Sequence, residues 1–127
     1  MKPAGSTRAR CGLLAFLVLL ALSACGADPP RDVDAANRGA TLFNGAATCS
    51  LCHGGNLRGT AMGPPLLDAM YAPIRTPDEM VRAAVRNGVS PKNWNLGAMP
   101  ALTHLSDGDI DDIIEFIRRE QRIAGID

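Results

Sequence analysis

Cys49-Ser50-Leu51-Cys52-His53 decides how the rest of the chain is read. Two thiols three residues apart, with an imidazole directly after the second, form the C-x-x-C-H pattern of covalent haem attachment. The spacing lets the two sulfurs reach the vinyl groups on adjacent edges of a porphyrin and form thioethers. The histidine is then brought under the iron as its proximal ligand. Three other readings compete. A zinc site needs two further Cys or His ligands, and the only other histidine is His104. A thioredoxin-like pair sits between a strand and a helix, and no strand is expected before Cys49. A disulfide between Cys49 and Cys52 leaves an aromatic-poor core unexplained. The expected cofactor is one covalently bound haem c.

Outward from the motif, the elements read as helices. Ala36, Ala40, Phe43 and Ala47 recur on one face, which predicts a helix over 35–47, with Gly39 on the same side. Thr76-Pro77-Asp78-Glu79 predicts a helix start with Thr76 as cap and Glu79 completing a capping box. Met80, Val81, Ala84 and Val85 supply its apolar face, and Asn87-Gly88 ends it. Ser106 with Asp109 predicts a second capping box. Ile110, Ile113, Ile114 and Ile117 give that helix its stripe, acids crowd its start, and Arg118, Arg119 and Arg122 lie towards its end. The expectation is an all-α domain of three main helices and long loops wrapped around the haem. Only Phe43, Tyr71, Trp94 and Phe116 are aromatic after residue 25, a thin supply for a small core. A large planar cofactor fills that deficit, and it gives the long loops something to pack on.

In order and spacing, the matching residues over 35–123 resemble the class I c-type cytochromes. Gly39 and Phe43 precede the motif, Gly63-Pro64-Pro65-Leu66 follows it, and Met99-Pro100 precedes the last helix. The resemblance implies that the Pro64 carbonyl accepts the ring N–H of His53 and fixes its tautomer. It also implies that the last helix crosses the first, with Phe116 on Gly39, and that the sulfur of Met99 is the sixth ligand. Met99 lies in a loop 46 residues after His53, enough to wrap over the ring. A thioether there favours ferrous iron and raises the potential. Met62, nine residues from His53, is poorly placed for that role. Met70 is read at the ring edge and Met80 as core packing. His104 competes as the sixth ligand, and an open sixth site is the remaining alternative. Trp94 reads as packing on the haem or as donating its indole N–H to a propionate. Arg58 and Lys92 are further propionate candidates, or simply solvated charges.

The N-terminus reads as an export signal. Lys2, Arg8 and Arg10 precede an uncharged, leucine-rich run from Cys11 to Ala24, which is shorter than the roughly 20 apolar residues of a membrane span. Leu22-Ser23-Ala24-Cys25 resembles the lipobox of bacterial lipoproteins, which implies that residues 1–24 are removed and Cys25 is lipidated. Residues 25–34 then form the lipidated cysteine and a flexible tether, and 35–127 the cytochrome c domain. Gly26 after the cysteine favours the outer membrane in the proteins it resembles. Loss of three cationic residues leaves 10 basic against 13 acidic side chains, a net charge of about −3, which argues against a nucleic-acid partner.

The chain is therefore expected to be a periplasm-facing, lipid-anchored, monohaem electron carrier with His53/Met99 ligation and no substrate chemistry of its own. An oxidase, a cytochrome complex or a periplasmic dehydrogenase are the expected redox partners. The alternatives are a haem enzyme or gas or peroxide sensor with an open sixth site, and an electron-input subunit of a larger dehydrogenase or oxidase.

Overall fold

The computed structural model describes residues 32–91 and 95–127. The readings of residues 1–31, including Cys25, and of Lys92 and Trp94 fall outside the described residues. Four helices follow one another: α1 (Val33–Asn44), α2 (Cys49–His53), α3 (Asp78–Asn87) and α4 (Asp107–Ile123), with a 3-10 turn at Ala69–Tyr71 between α2 and α3. The fold is all-α. Among the described residues, β pairing is limited to one isolated antiparallel bridge between Val89 and Met99. The three helices expected from periodicity are α1, α3 and α4. The short α2 is built from the C-x-x-C-H motif itself.

Helix α1 starts two residues earlier and ends three residues earlier than periodicity suggests. The carboxylate of Asp32 accepts from the Ala35 N–H at 2.9 Å, and Asp34 lies in the first turn. Asp32 and Asp34, read as part of a tether, therefore serve a helix N-terminus, where negative charge is favoured. At the other end, Gly45 N–H and Ala47 N–H both turn back to the Leu42 carbonyl. Ala47 is buried, but in that turn.

The start of α3 also departs from expectation. Pro77 is the cap residue and no side chain caps the helix. The Thr76 hydroxyl donates instead to the Met70 carbonyl at 2.8 Å, which ties the preceding loop together. Met80, expected in the core, is 54% exposed, and only Val85 of the four apolar positions is fully buried. At the far end Gly88 adopts φ +72, and a Cβ there would sit 2.6 Å from the Met99 carbonyl oxygen. Glycine both ends α3 and lets the Met99 segment pass close.

Helix α4 carries the capping box. Ser106 Oγ accepts from Asp109 N–H at 3.1 Å, and the Asp109 carboxylate accepts from Ser106 N–H at 2.8 Å. The Ser106 hydroxyl, then its backbone N–H, hold the Asp109 carboxyl below its usual range. The carboxylate half of the cap is thus fully in force at neutral pH and weakens only as pH falls through that lowered value, while the Ser106 Oγ half does not titrate. Ile110, Ile113, Ile114 and Ile117 are all buried.

Helices α1 and α4 form the central pair. Gly39 is buried against the backbone of α4 at Asp112 and Ile113. Phe116 packs in the same crossing. Its partner is Phe43, edge to face, with ring centroids 5.4 Å apart. Such aromatic pairs contribute about 0.5–1.5 kcal/mol beyond area burial. The rim of the crossing is polar: Arg38 forms a two-pronged bond to the Asp112 carboxylate at 2.6 and 2.8 Å. Arg119 lies over the Phe116 ring and donates to Asn37.

A second, buried polar group ties α4 to the loop that follows α2. Arg118 donates to Asp78, to the carbonyls of Tyr71 and Thr76, and to the Gln121 side-chain oxygen. Gln121, fully buried, donates from Nε2 to the carbonyls of Leu66 (2.8 Å) and Tyr71 (3.0 Å). A buried guanidinium is tolerated only when its donors find acceptors in this way. Among the described residues no helix is long and apolar enough to cross a membrane.

Candidate haem site

The motif residues sit on α2, which is wedged between α1 and the loop from Gly54 to Pro77. Thr48, left-handed at φ 55, turns the chain into α2, and Gly54 at φ 74 turns it out. The helix places Cys49, Cys52 and His53 on one turn and a half, all three partly buried, while Leu51 between them is 64% exposed.

The loop is fastened to α2 at its carboxyl end. His53 carbonyl accepts from Gly59 N–H at 2.8 Å, and Cys52 carbonyl accepts from the Thr60 hydroxyl at 2.7 Å. Gly63 is buried so close to Cys52 that a Cβ would lie 2.8–2.9 Å from its carbonyl and Cβ atoms. Leu57, also buried, holds a left-handed φ of 60, and its carbonyl accepts from both Leu66 and Leu67 N–H. This folding brings the Pro64 carbonyl oxygen to 2.9 Å from His53 Nδ1. A carbonyl oxygen only accepts, so the proton belongs on Nδ1, and Nε2 is left with its lone pair for a metal.

The two thiols are not joined to each other. Burial, above all, pushes the Cys49 thiol up to about 11. A reactive redox cysteine needs a lowered value, and α2 is preceded by a turn and not by a strand. Among the described residues no three His, Cys, Asp or Glu side chains converge as a metal site, whereas a structural zinc needs four ligands.

Met99 stands on the loop between α3 and α4. Its backbone is pinned to Val89 by two hydrogen bonds of 2.9 Å. Met99 and Cys49, both half-buried, pack against one and the same apolar cluster, which includes Phe43, Leu57, Val85 and Leu105. His104 is exposed beside the α4 cap. Met62 and Met70 are exposed too, at 60% and 38%. Arg58 is on the surface of the Gly54–Pro77 loop.

Sequence alone passes over Gln121 and places Arg118 only as a charge near the helix end, whereas both hold the far side of the loop carrying Pro64. A signal was there: Gln121 lies four and seven residues after Ile117 and Ile114, on the apolar stripe of α4. A polar side chain in such a position has to find partners inside.

Searches of curated proteins and of solved structures return no match to the chain. The family described as Cytochrome C oxidase, cbb3-type, subunit III matches residues 34–117, from the first turn of α1 to the buried stripe of α4. The chain thus belongs to the family of the cbb3-type cytochrome c oxidase subunit III, and it is a haem-binding c-type cytochrome of electron transfer.

Proposed function

We propose that the chain is a monohaem electron carrier whose haem is joined to Cys49 and Cys52 by thioethers, with His53 and Met99 as axial ligands. The contact between His53 Nδ1 and the Pro64 carbonyl carries this reading. It leaves Nε2 as the coordinating nitrogen, on the same short helix as two thiols free to react. The donor set suits the group: two sulfurs for vinyl addition, one imidazole, and a thioether sharing a core with Cys49. Haem iron, when bound, supplies one-electron chemistry. The protein's residues hold it covalently, set the imidazole tautomer and offer soft sulfur donation, which favours the reduced state.

The ligand assignment is tested by visible spectroscopy. The wild-type protein is expected to be low-spin, with a thioether-to-iron charge-transfer band that disappears in Met99→Ala. The reduction potential of that variant should fall by about 100 mV or more, a modest part of the roughly 0.8 V that axial ligands span. A wild-type ferrous form that is high-spin and binds carbon monoxide readily would overturn the assignment.

The carrier is exported and held at a membrane surface by acyl chains on Cys25, facing the periplasm, with the outer membrane favoured. The lipobox-like Leu22-Ser23-Ala24-Cys25 supports this. In Cys25→Ser the protein is expected to move from the membrane to the soluble fraction or to retain residues 1–24. A wild-type mature mass without acyl chains would refute the anchor. Its partners are redox proteins: an oxidase, a cytochrome complex or a periplasmic dehydrogenase. The family match favours one second reading, an electron-input subunit held stably in an oxidase complex. Gel filtration of native membrane extracts separates the two, because a carrier elutes alone and a subunit elutes with its complex.

A further inference from the structure

We infer that Gln121 is a positioning residue for the proximal imidazole, acting through Leu66 and the Pro64 carbonyl; the inference rests on His53 being the iron ligand proposed above. Gln121 is fully buried on α4 and makes three hydrogen bonds. One of them holds the Leu66 carbonyl at 2.8 Å, while the Leu66 N–H is held by the Leu57 carbonyl, also at 2.8 Å. Leu66 is thus fixed at both its backbone groups. Two residues back stands the carbonyl that meets His53 Nδ1 at 2.9 Å.

What links them is Pro64-Pro65. The ring of Pro65 locks its φ, and a proline following Pro64 confines Pro64 to extended backbone. The soft torsions left between the Leu66 carbonyl and the peptide plane of the Pro64 carbonyl are ψ of Pro65 and the two of Leu66. Holding Leu66 at both its N–H and its carbonyl narrows them together, and with them the directions in which the Pro64 oxygen faces. Arg118 completes the device from the other side. It holds the Gln121 side-chain oxygen at 2.7 Å, which turns the amide so that Nε2 faces the loop.

Loosening the anchor lets the Pro64 oxygen drift from the ring. A weaker bond at Nδ1 makes Nε2 a poorer donor to ferric iron, so the potential rises. A role confined to stability would lower the unfolding temperature and leave the ring proton and the potential as they are. Gln121→Leu removes the amide. Gln121→Glu keeps size and the partner for Arg118 but loses the donor to Leu66, and it serves if the leucine variant fails to fold. Ile113→Val, a buried change on the same helix, is the control for plain destabilisation.

The measurement is nitrogen-15 NMR of the reduced holoprotein, following exchange of the His53 Nδ1 proton with solvent, together with a redox titration. Both Gln121 variants are expected to exchange that proton about tenfold faster, the worth of one net hydrogen bond, and to show a raised potential. Ile113→Val is expected to match the wild type in both. Wild-type exchange and potential in a folded Gln121 variant, or equal acceleration in Ile113→Val, would overturn the inference. The reading it rests on fails in a different way, by an absence of porphyrin ring-current shifts on the His53 ring protons of the reduced wild type.

Discussion

Serine at both Cys49 and Cys52 will leave the protein with no covalently bound haem. The effect is all or none. Thioether formation adds a thiol across each vinyl group, and a serine hydroxyl does not do this under physiological conditions. In denaturing gels the peroxidase stain for haem should vanish from the double variant, and its intact mass should equal that of the polypeptide alone. Each single variant should keep one bond and some stain. Undiminished staining of the double variant would place the attachment elsewhere in the chain, against the spacing on α2. The loss should reach the fold as well. Cys49 and Met99 lean on one apolar cluster, and the chain has few aromatic side chains to fill the space a haem would take. A haem that is packed and ligated only in the native state stabilises that state, and its covalent attachment makes the contribution independent of concentration. The double variant is therefore expected to melt well below the wild type or to be degraded in the cell.

The second large effect belongs to Gly39. A glycine inside a helix usually costs about 0.5–1 kcal/mol relative to alanine, so Gly39→Ala would ordinarily stabilise. Here the sign reverses. A Cβ on Gly39 would lie 1.9 Å from the Asp112 carbonyl oxygen, 2.5 Å from its carbon and 2.9 Å from Ile113 N. All three are backbone atoms, so no rotamer change relieves the clash, and α1 and α4 must separate. Separation loosens the Phe43–Phe116 pair and the Arg38–Asp112 bonds. The expected cost is about 3 kcal/mol, at the upper end of overpacking effects, measured by denaturant unfolding. Gly108 provides the internal comparison. It lies in the first turn of α4, with nothing nearer to an added Cβ than Ser106 Oγ at 3.8 Å. Gly108→Ala should therefore be neutral or mildly stabilising. Gly39→Ala at wild-type stability would contradict the packing.

What could be read from sequence were features decided within a few residues. The Ser106–Asp109 box needs only its own backbone turn, and the isoleucine stripe of α4 needs only helical spacing. Both are in place. Errors arise where a residue's partner is remote. Asp32 and Asp34 look like solvated tether charges until the α1 backbone is there to be capped. Thr76 has the right neighbours for a cap, but the Met70 carbonyl claims its hydroxyl. Met80 is in register with Ala84 yet is left on the exposed side of α3.

The candidate site divides in the same way. The thiols and imidazole of 49–53 are one contiguous pattern. Pro64 was reached only through family resemblance, because the turn bringing its carbonyl back to His53 depends on the left-handed Leu57 and on Gly59. Gln121 was missed since its acceptors, the Leu66 and Tyr71 carbonyls, are at least fifty residues away. Tertiary partners of this kind have no local signature in the sequence.

The pairing of α1 with α4 also governs the order of events in the life of the chain. The first and last helices of the domain are each other's main partners, joined by Gly39 on Asp112 and by Phe43 on Phe116. A polypeptide made or threaded from its N-terminus cannot close this domain until the final helix has emerged. Contacts so distant along the chain form late because the intervening loop must first be confined. Until then α2 has no finished interior to pack on, so the surroundings of the C-x-x-C-H helix are completed only when α4 docks.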